Sequence, residues 1–181
     1  MTRRFVRASL FGLIALVAIG SWLIGAHQSS PKDSGQGAST WIQGECHKGD
    51  REGTTLVVDF GEASGKSSLV RCVQNYSGNS WALFAAAGMK VTGTAQYPVG
   101  FVCRINGVPT TAQQSCASTP DASTGSWAFF IGSNVWQYAL AGASSYQTTC
   151  GAVEGWRYVA PGQQVETTAL RVAPHAFICA G

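Results

Sequence analysis

The stretch TTLVVDFGEASGKSSLVRCVQNYSGNSWALFAAAG (54–88) decides the fold, because it predicts two paired strands followed by a helix. Apolar side chains at Leu56, Val58 and Phe60 recur with the period of two that is typical of a half-buried strand. A run of turn residues follows, and SSLVRCV (67–73) predicts the returning strand of a hairpin.

The end of the same stretch predicts the clearest helix of the chain. Asn79 or Ser80 caps its N-terminus, because a side-chain oxygen at this position can accept a hydrogen bond from a free backbone N–H of the first turn. The apolar run WALFAAA (81–87) fills the helix, and Gly88 ends it.

Strand patterns return after the helix. The segment GFVCRI (100–105) alternates and runs into Asn106-Gly107, a strong hairpin signal because a type I′ turn needs positive φ at both positions. A polar loop occupies 110–126. Hairpin, helix and further strands together predict an α+β fold, with one mixed sheet and one helix packed on one of its faces. The remaining strand candidates are WAFFI (127–131), VWQYAL (135–140), AVEGWRY (152–158) and VETTALRV (165–172).

The N-terminus has the composition of an export segment. Arginines precede nineteen uncharged residues, ASLFGLIALVAIGSWLIGA (8–26), which is typical of a signal peptide or a membrane anchor. A spanning helix needs about 20 residues and a signal core fewer, so both interpretations stay open. We expect the N-terminus to engage the membrane and the remainder to be extracytoplasmic, either secreted or anchored. The chain then divides into the signal or anchor (1–26), a flexible linker (27–40) and a β-rich domain (41–181).

The six cysteines all follow the apolar run. An even number in an exported domain predicts three disulfides, with fifteen possible pairings. The absence of a Cys-x-x-Cys spacing argues against a thioredoxin-type redox site or a zinc ribbon. The pairs that we favour are Cys103–Cys116, across the hairpin region, Cys46–Cys72 and Cys150–Cys179.

The charge balance excludes a nucleic-acid binder. Charged residues make up 12% of the chain, about half the usual share for a soluble domain. Without Arg3, Arg4 and Arg7, which precede the apolar run, nine Lys and Arg residues balance nine Asp and Glu residues. A neutral body has no electrostatic footprint for DNA or RNA, and we expect no nucleic-acid partner.

Catalytic motifs are scarce. The tripeptide GKS (65–67) has the end of a phosphate-binding loop, but Phe60 stands where that loop needs its first glycine. The tripeptide ECH (45–47) is more simply a disulfide cysteine beside a surface histidine. The carboxylates that could act in pairs lie mostly in predicted turns or at loop edges. The five candidates are Asp59, Glu62, Asp121, Glu154 and Glu166. We therefore predict a non-catalytic protein with no metal site and no cofactor.

Aromatic residues crowd the second half of the chain. They can fill the core of a sheet, or they can line a binding face where ring area and a polar edge combine. Both interpretations stay open at this stage. If a ligand site exists, we expect it on the aromatic strands, with an arginine as its polar anchor. The candidate residues are Trp127, Phe129, Trp136 and Tyr138, with Arg104 or Arg157 as the anchor.

The order of the segments GNSWALFAAAGMKVTG, GFVCRINGVP, WAFFIGSNVWQYALAGA and GAVEGWRY resembles the small C-terminal β-rich domain of transcobalamin-like carriers. It is more similar still to a bacterial exported version of that domain, over about residues 54–160. The resemblance implies a β-grasp-like fold. In the carriers this domain forms one wall of a ligand site, and a large helical domain forms the other. Bacterial relatives are suggested to serve vitamin or metal-chelate uptake beside membrane transporters.

The resemblance and the aromatic set together predict a binding module. Its partner is then a cobalamin-like or other small ligand, or a component of a membrane transporter. The alternative is a cell-surface structural or docking domain that contacts only other proteins. A concave aromatic pocket favours the first interpretation, and a broad exposed apolar patch favours the second.

Overall fold

A six-stranded mixed sheet organises the residues that the computed structural model describes, which are 39–50, 53–165 and 169–179. All of them belong to the same compact unit of the chain. The strands in this part of the chain are β1 (Thr40–Gln43), β2 (Thr54–Asp59), β3 (Leu69–Gln74), β4 (Val91–Gly93), β5 (Val102–Ile105), β6 (Ser126–Gly132), β7 (Trp136–Tyr138) and β8 (Val153–Val159); the helix α1 is Ser80–Ala86.

The strand order of the large sheet is β1-β3-β2-β8-β6-β7, and β4 and β5 form a small second sheet. The two central strands β2 and β8 are parallel, and every other neighbouring pair is antiparallel. The hairpin β2–β3 is followed by the helix, and the last strand β8 lies parallel to β2 and antiparallel to β6. These elements make a β-grasp-like arrangement. The predicted α+β class with a mixed sheet and one packed helix is confirmed.

The helix forms where its capping signal predicts. The side chain of Asn79 accepts a hydrogen bond from the backbone N–H of Ala82 at 2.9 Å, and Gly88 follows the helix with a φ of +67°. Leu83 and Phe84 are buried, and the ring of Phe84 lies 5.3 Å from that of Trp156 on the sheet. This face of the helix therefore fixes the main core over β8.

Both faces of the central strands are covered, which corrects the half-buried strand predicted for β2. All six residues of β2 are buried. Leu56 and Val58 join the core beneath the helix, whereas Val57 belongs to a second cluster on the opposite face. Leu170 packs into that second cluster, so the C-terminal segment supplies the missing cover.

The C-terminal segment 169–179 crosses the sheet without joining it as a strand. Val165 and residues 169–172, the described part of the candidate strand at 165–172, form no strand; its residues 166–168 lie outside the described residues. The indole Nε1 of Trp136 donates to the carbonyl of Val172 at 2.7 Å, and the N–H of Phe177 donates to the carbonyl of Gly151 at 3.2 Å. Individual hydrogen bonds thus hold the segment in place.

The Asn106-Gly107 turn forms as predicted and is closed by a single bridge between Ile105 and Val108. Asn106 and Gly107 have φ values of +46° and +79°, and Ile105 and Val108 exchange two hydrogen bonds of 2.9 Å. Beyond that single bridge the chain enters the polar loop, and β5 pairs with the preceding β4.

Three disulfides link Cys46 to Cys72, Cys103 to Cys116 and Cys150 to Cys179, which are the pairs favoured from the sequence. Three disulfides are consistent with an extracytoplasmic location. Of the described helical residues, none belongs to a helix long and apolar enough to cross a membrane. The predicted signal or anchor at 1–26, and residues 27–38 of the predicted linker, lie outside the described residues.

Candidate functional site

An open cleft of about 360 Å³ lies on the helix-side face of the sheet. Its floor is Trp127 and Phe129 of β6 and Trp156 of β8, and its walls are the loops 100–102 and 138–143. We call this site the aromatic cleft. The floor residues are nine-tenths or more buried, since their rings also belong to the main core.

The floor is rigid before any ligand arrives. Phe129 and Trp156 face each other on neighbouring strands, and their rings stack with centroids 4.5 Å apart and planes 10° apart. The indole Nε1 of Trp127 donates to the carbonyl of Val108 at 3.1 Å, and its ring packs edge-on against Phe60. A pre-formed ring surface binds a flat ligand without the entropic cost of ordering side chains.

The walls offer small side chains and free backbone donors. Ala139 and Ala143 fix the loop at its two ends, since the Ala139 N–H donates to Phe129 and the Ala143 carbonyl accepts from Trp81. Between them, the N–H groups of residues 140–142 donate to no other described residue. No Asp, Glu, Lys or Arg lies among the described residues that line the cleft. The cleft therefore suits the flat, uncharged part of a ligand with an acceptor at its edge.

The structure brings three of the six candidate site residues to this cleft. Trp127 and Phe129 form its floor. Tyr138 also lines it, but the Tyr138 ring packs edge-on against Phe130, which belongs to the cluster on the opposite face of the sheet. Trp136 lies elsewhere, because its indole is held by the C-terminal segment on the opposite face of the sheet.

Comparisons of the chain with protein-family models, with curated proteins and with solved structures found no match. Function is therefore inferred from the cleft and from the motifs of the sequence.

The two candidate anchor arginines do not line the aromatic cleft. Arg104 ties its own loop down, since its guanidinium donates to the carbonyls of Pro109 and Gln114, both at 2.5 Å. Arg157 is buried and pairs with Asp59 at 2.6 Å. Backbone N–H groups of the wall, rather than arginines, are the polar groups available to a ligand.

Sequence reasoning placed Trp156 among the aromatic strands but not among the candidate site residues. It lies opposite Phe129 only because β8 pairs with β6 in a particular register. The alternation within AVEGWRY indicates which of its residues share a face of the strand. Which residue of the neighbouring strand stacks on Trp156 depends on the strand pairing, which the tertiary fold sets.

Two of the five candidate carboxylates are fully buried in the central strands. Asp59 accepts hydrogen bonds from Arg157 and Arg171, and Glu154 accepts one from the hydroxyl of Thr148 at 2.6 Å. Burial raises the pKa of Glu154 to about 7, although the nearby hydroxyl groups of Thr148 and Ser80 oppose that change. Neither carboxylate lines the aromatic cleft, so their contacts serve the core.

The segment around Cys46 offers a group of potential ligand atoms but no metal site. Atoms of Cys46, Asp50 and Cys72 lie within 4.8 Å of one another. The two sulfurs form a disulfide and carry no thiolate, which is the form that binds zinc. The Asp50 carboxylate accepts hydrogen bonds from the His47 N–H and the Gln74 amide instead.

Proposed function

We propose that this protein is a non-catalytic extracytoplasmic binding module. Its aromatic cleft takes the flat face of a small ligand, cobalamin-like or another, and it works beside a membrane transporter. The observation that carries this proposal is the stacked floor of Phe129 and Trp156 under an open, uncharged loop. Large aromatic surfaces with a few convergent polar groups are typical of ligand sites.

The size of the cleft fits one wall of a larger site. Its volume of about 360 Å³ lies near the lower end of ligand pockets, which run from about 300 to 1,000 Å³. A macrocyclic ligand would therefore leave its other face exposed. The resemblance to the carrier domain supports this arrangement, since in those proteins a second domain covers the ligand.

Filling the cleft should abolish binding. Ala141 is an exposed wall residue, so Ala141→Phe places a ring in the cleft without disturbing the core. We expect the Kd for cyanocobalamin or haemin to rise at least tenfold, since a stacking ligand loses most of its contact area. Calorimetry and quenching of tryptophan fluorescence measure it, because Trp127 and Trp156 lie in the floor.

The matched control is Ala112→Phe, on an exposed alanine of the polar loop outside the cleft. It should leave the Kd unchanged. Equal affinity of the Ala141→Phe variant and the unsubstituted protein would contradict the proposed site. Failure of every planar ligand to bind would contradict the proposed function.

A docking domain without a small ligand is the second candidate. Exposed apolar side chains at the cleft and beside it favour this candidate, and Leu140 is fully exposed. Leu140 and Tyr138 line the cleft, and Tyr97 and Val99 line a neighbouring pocket that shares Gly100 and Phe101 with it. If they form a protein contact, Leu140→Ser should release a membrane partner in cross-linking, whereas Ile178→Ser, which alters an exposed residue outside the cleft, should not.

A further inference from the structure

We propose a second ligand site in this domain, for a small aromatic carboxylate. It occupies a cavity of about 490 Å³ between the β2–β3 turn, the loop after Asn106 and the end of β8. Trp127 adjoins it, because this residue lines the aromatic cleft and also contacts Val108 and Tyr158 of the cavity. The cavity is therefore a neighbour of the cleft rather than part of it.

The cavity has apolar walls with a small number of polar side chains. The apolar lining residues have short or rigid side chains, so the cavity has room for a flat ring. They are Ala63, Val108, Pro109, Ala160 and Pro161. An enclosure of this kind buries the apolar body of a drug-sized ligand, and its polar groups then fix the orientation.

Most hydroxyl groups in the cavity already have partners in their own turns. The Ser64 hydroxyl donates to the carbonyl of Gly61 at 2.9 Å, and the Thr110 hydroxyl donates to the Gln113 side chain at 3.0 Å. The Thr124 hydroxyl donates to the carbonyl of Asp121 at 3.3 Å. These groups stabilise the walls and have little to offer a ligand.

Besides the amide of the exposed Gln113, two side-chain donors of the cavity remain uncommitted within the described residues. The hydroxyl of Tyr158 forms no hydrogen bond there, although its ring is half-buried against Trp127, 5.6 Å between centroids. The ammonium group of Lys66 pairs with no described carboxylate and lies 5.4 Å from the centre of the Phe60 ring. Burial raises the pKa of Tyr158, so its phenol remains a donor at neutral pH.

The neighbouring arginines are already paired with carboxylates, so Lys66 is the cation that remains available to a ligand. Asp59 pairs with both Arg157 and Arg171, and Glu62 lies 4.0 Å from Arg157. An ammonium group and a phenol on one apolar cavity match the two acceptor oxygens of a carboxylate. The apolar walls match the ring that carries it.

The probe is naphthalene-2-carboxylate, and naphthalene-2-carboxamide is its uncharged counterpart. Calorimetry on the oxidised full-length protein should show that the carboxylate binds at least tenfold more tightly than the carboxamide. Lys66→Gln and Tyr158→Phe should each weaken the carboxylate about tenfold, since the first removes the positive charge and the second removes the phenol hydroxyl. The matched control Lys48→Gln changes an exposed lysine outside the cavity and should have no effect.

The remaining outcomes separate this site from the aromatic cleft. Ala141→Phe, which fills the cleft, should leave carboxylate binding unchanged. Loss of binding in that variant would place the probe in the cleft and overturn the second site. Equal affinity for acid and amide, no effect of Lys66→Gln and Tyr158→Phe, or no binding at millimolar probe would overturn it as well.

Discussion

Replacing Asp59 with asparagine should lower the free energy of unfolding at neutral pH by roughly 3–5 kcal/mol, the usual cost of breaking a buried ion pair from one side. The carboxylate is fully buried, and Arg157 is 5% exposed. One oxygen accepts from Arg157 at 2.6 Å and from the Arg171 N–H at 2.9 Å. The other accepts from the Arg171 guanidinium and from the N–H of Gly61. Asparagine keeps the size but leaves the buried guanidinium of Arg157 with only the exposed Glu62 carboxylate, 4.0 Å away, as a counter-charge.

Urea denaturation at pH 7 measures this effect, and Asp121→Asn is its control. Asp121 is exposed and bonds only within its own loop, so its substitution should leave the free energy of unfolding nearly unchanged. A loss below about 1 kcal/mol for Asp59→Asn would contradict the buried network.

The same network predicts a loss of stability in acid. Burial alone would raise the pKa of Asp59, but hydrogen bonds from Arg171 and Gly61 and the charge of Arg157 lower it below the ordinary 3.8. The folded state therefore holds the charged form more strongly than the unfolded chain does. The stabilisation is complete above the unfolded-state pKa and is lost as the pH falls through the folded-state value.

Glu154 predicts a second pH dependence with the opposite sign. Its pKa is raised from 4.5 to about 7 in the folded protein, because burial disfavours the charged form. The contribution of Glu154 to stability should be highest below about pH 4.5, decline by about 3 kcal/mol as the pH rises to about 7, and level off above that. One carboxylate oxygen is bonded to Thr148, and the other has no partner among the described residues.

Glu154→Gln should remove this decline, since the amide has nearly the same shape and does not titrate. Denaturation in urea at pH 4.5, 6 and 7.5 compares the variant with the unsubstituted protein. The control is Glu62→Gln, because the Glu62 side chain is 76% exposed. A decline of equal size in the Glu154→Gln variant would assign the pH dependence to other groups.

The first hairpin, the helix and the turn after β5 were predictable because their signals are local. The alternation in β2, the cap at Asn79 and the turn at Asn106 each depend on a few neighbouring residues. The burial of both sheet faces was not predictable, because it depends on bonds from the C-terminal segment to Trp136 and Asp59. Trp136 and Asp59 are far in sequence from the C-terminal residues that they contact.

The aromatic cleft was predictable in part for the same reason. Trp127 and Phe129 share a face by the strand period, and both lie in its floor. The stack with Trp156 needed the strand register, and the free N–H groups of the wall belong to a loop with no motif. Arg104 and Arg157 looked available as anchors, because the sequence does not show that carbonyls and a buried carboxylate occupy them.

Native mass spectrometry of the oxidised full-length protein, purified gently from its native host, tests the central claim most directly. A ligand-binding module predicts a co-purifying small molecule that the Ala141→Phe variant has lost and the Ala112→Phe variant retains. A bare protein that also fails to take up cyanocobalamin or haemin would contradict the claim. An equal load of the small molecule in both variants would contradict the aromatic cleft as its site.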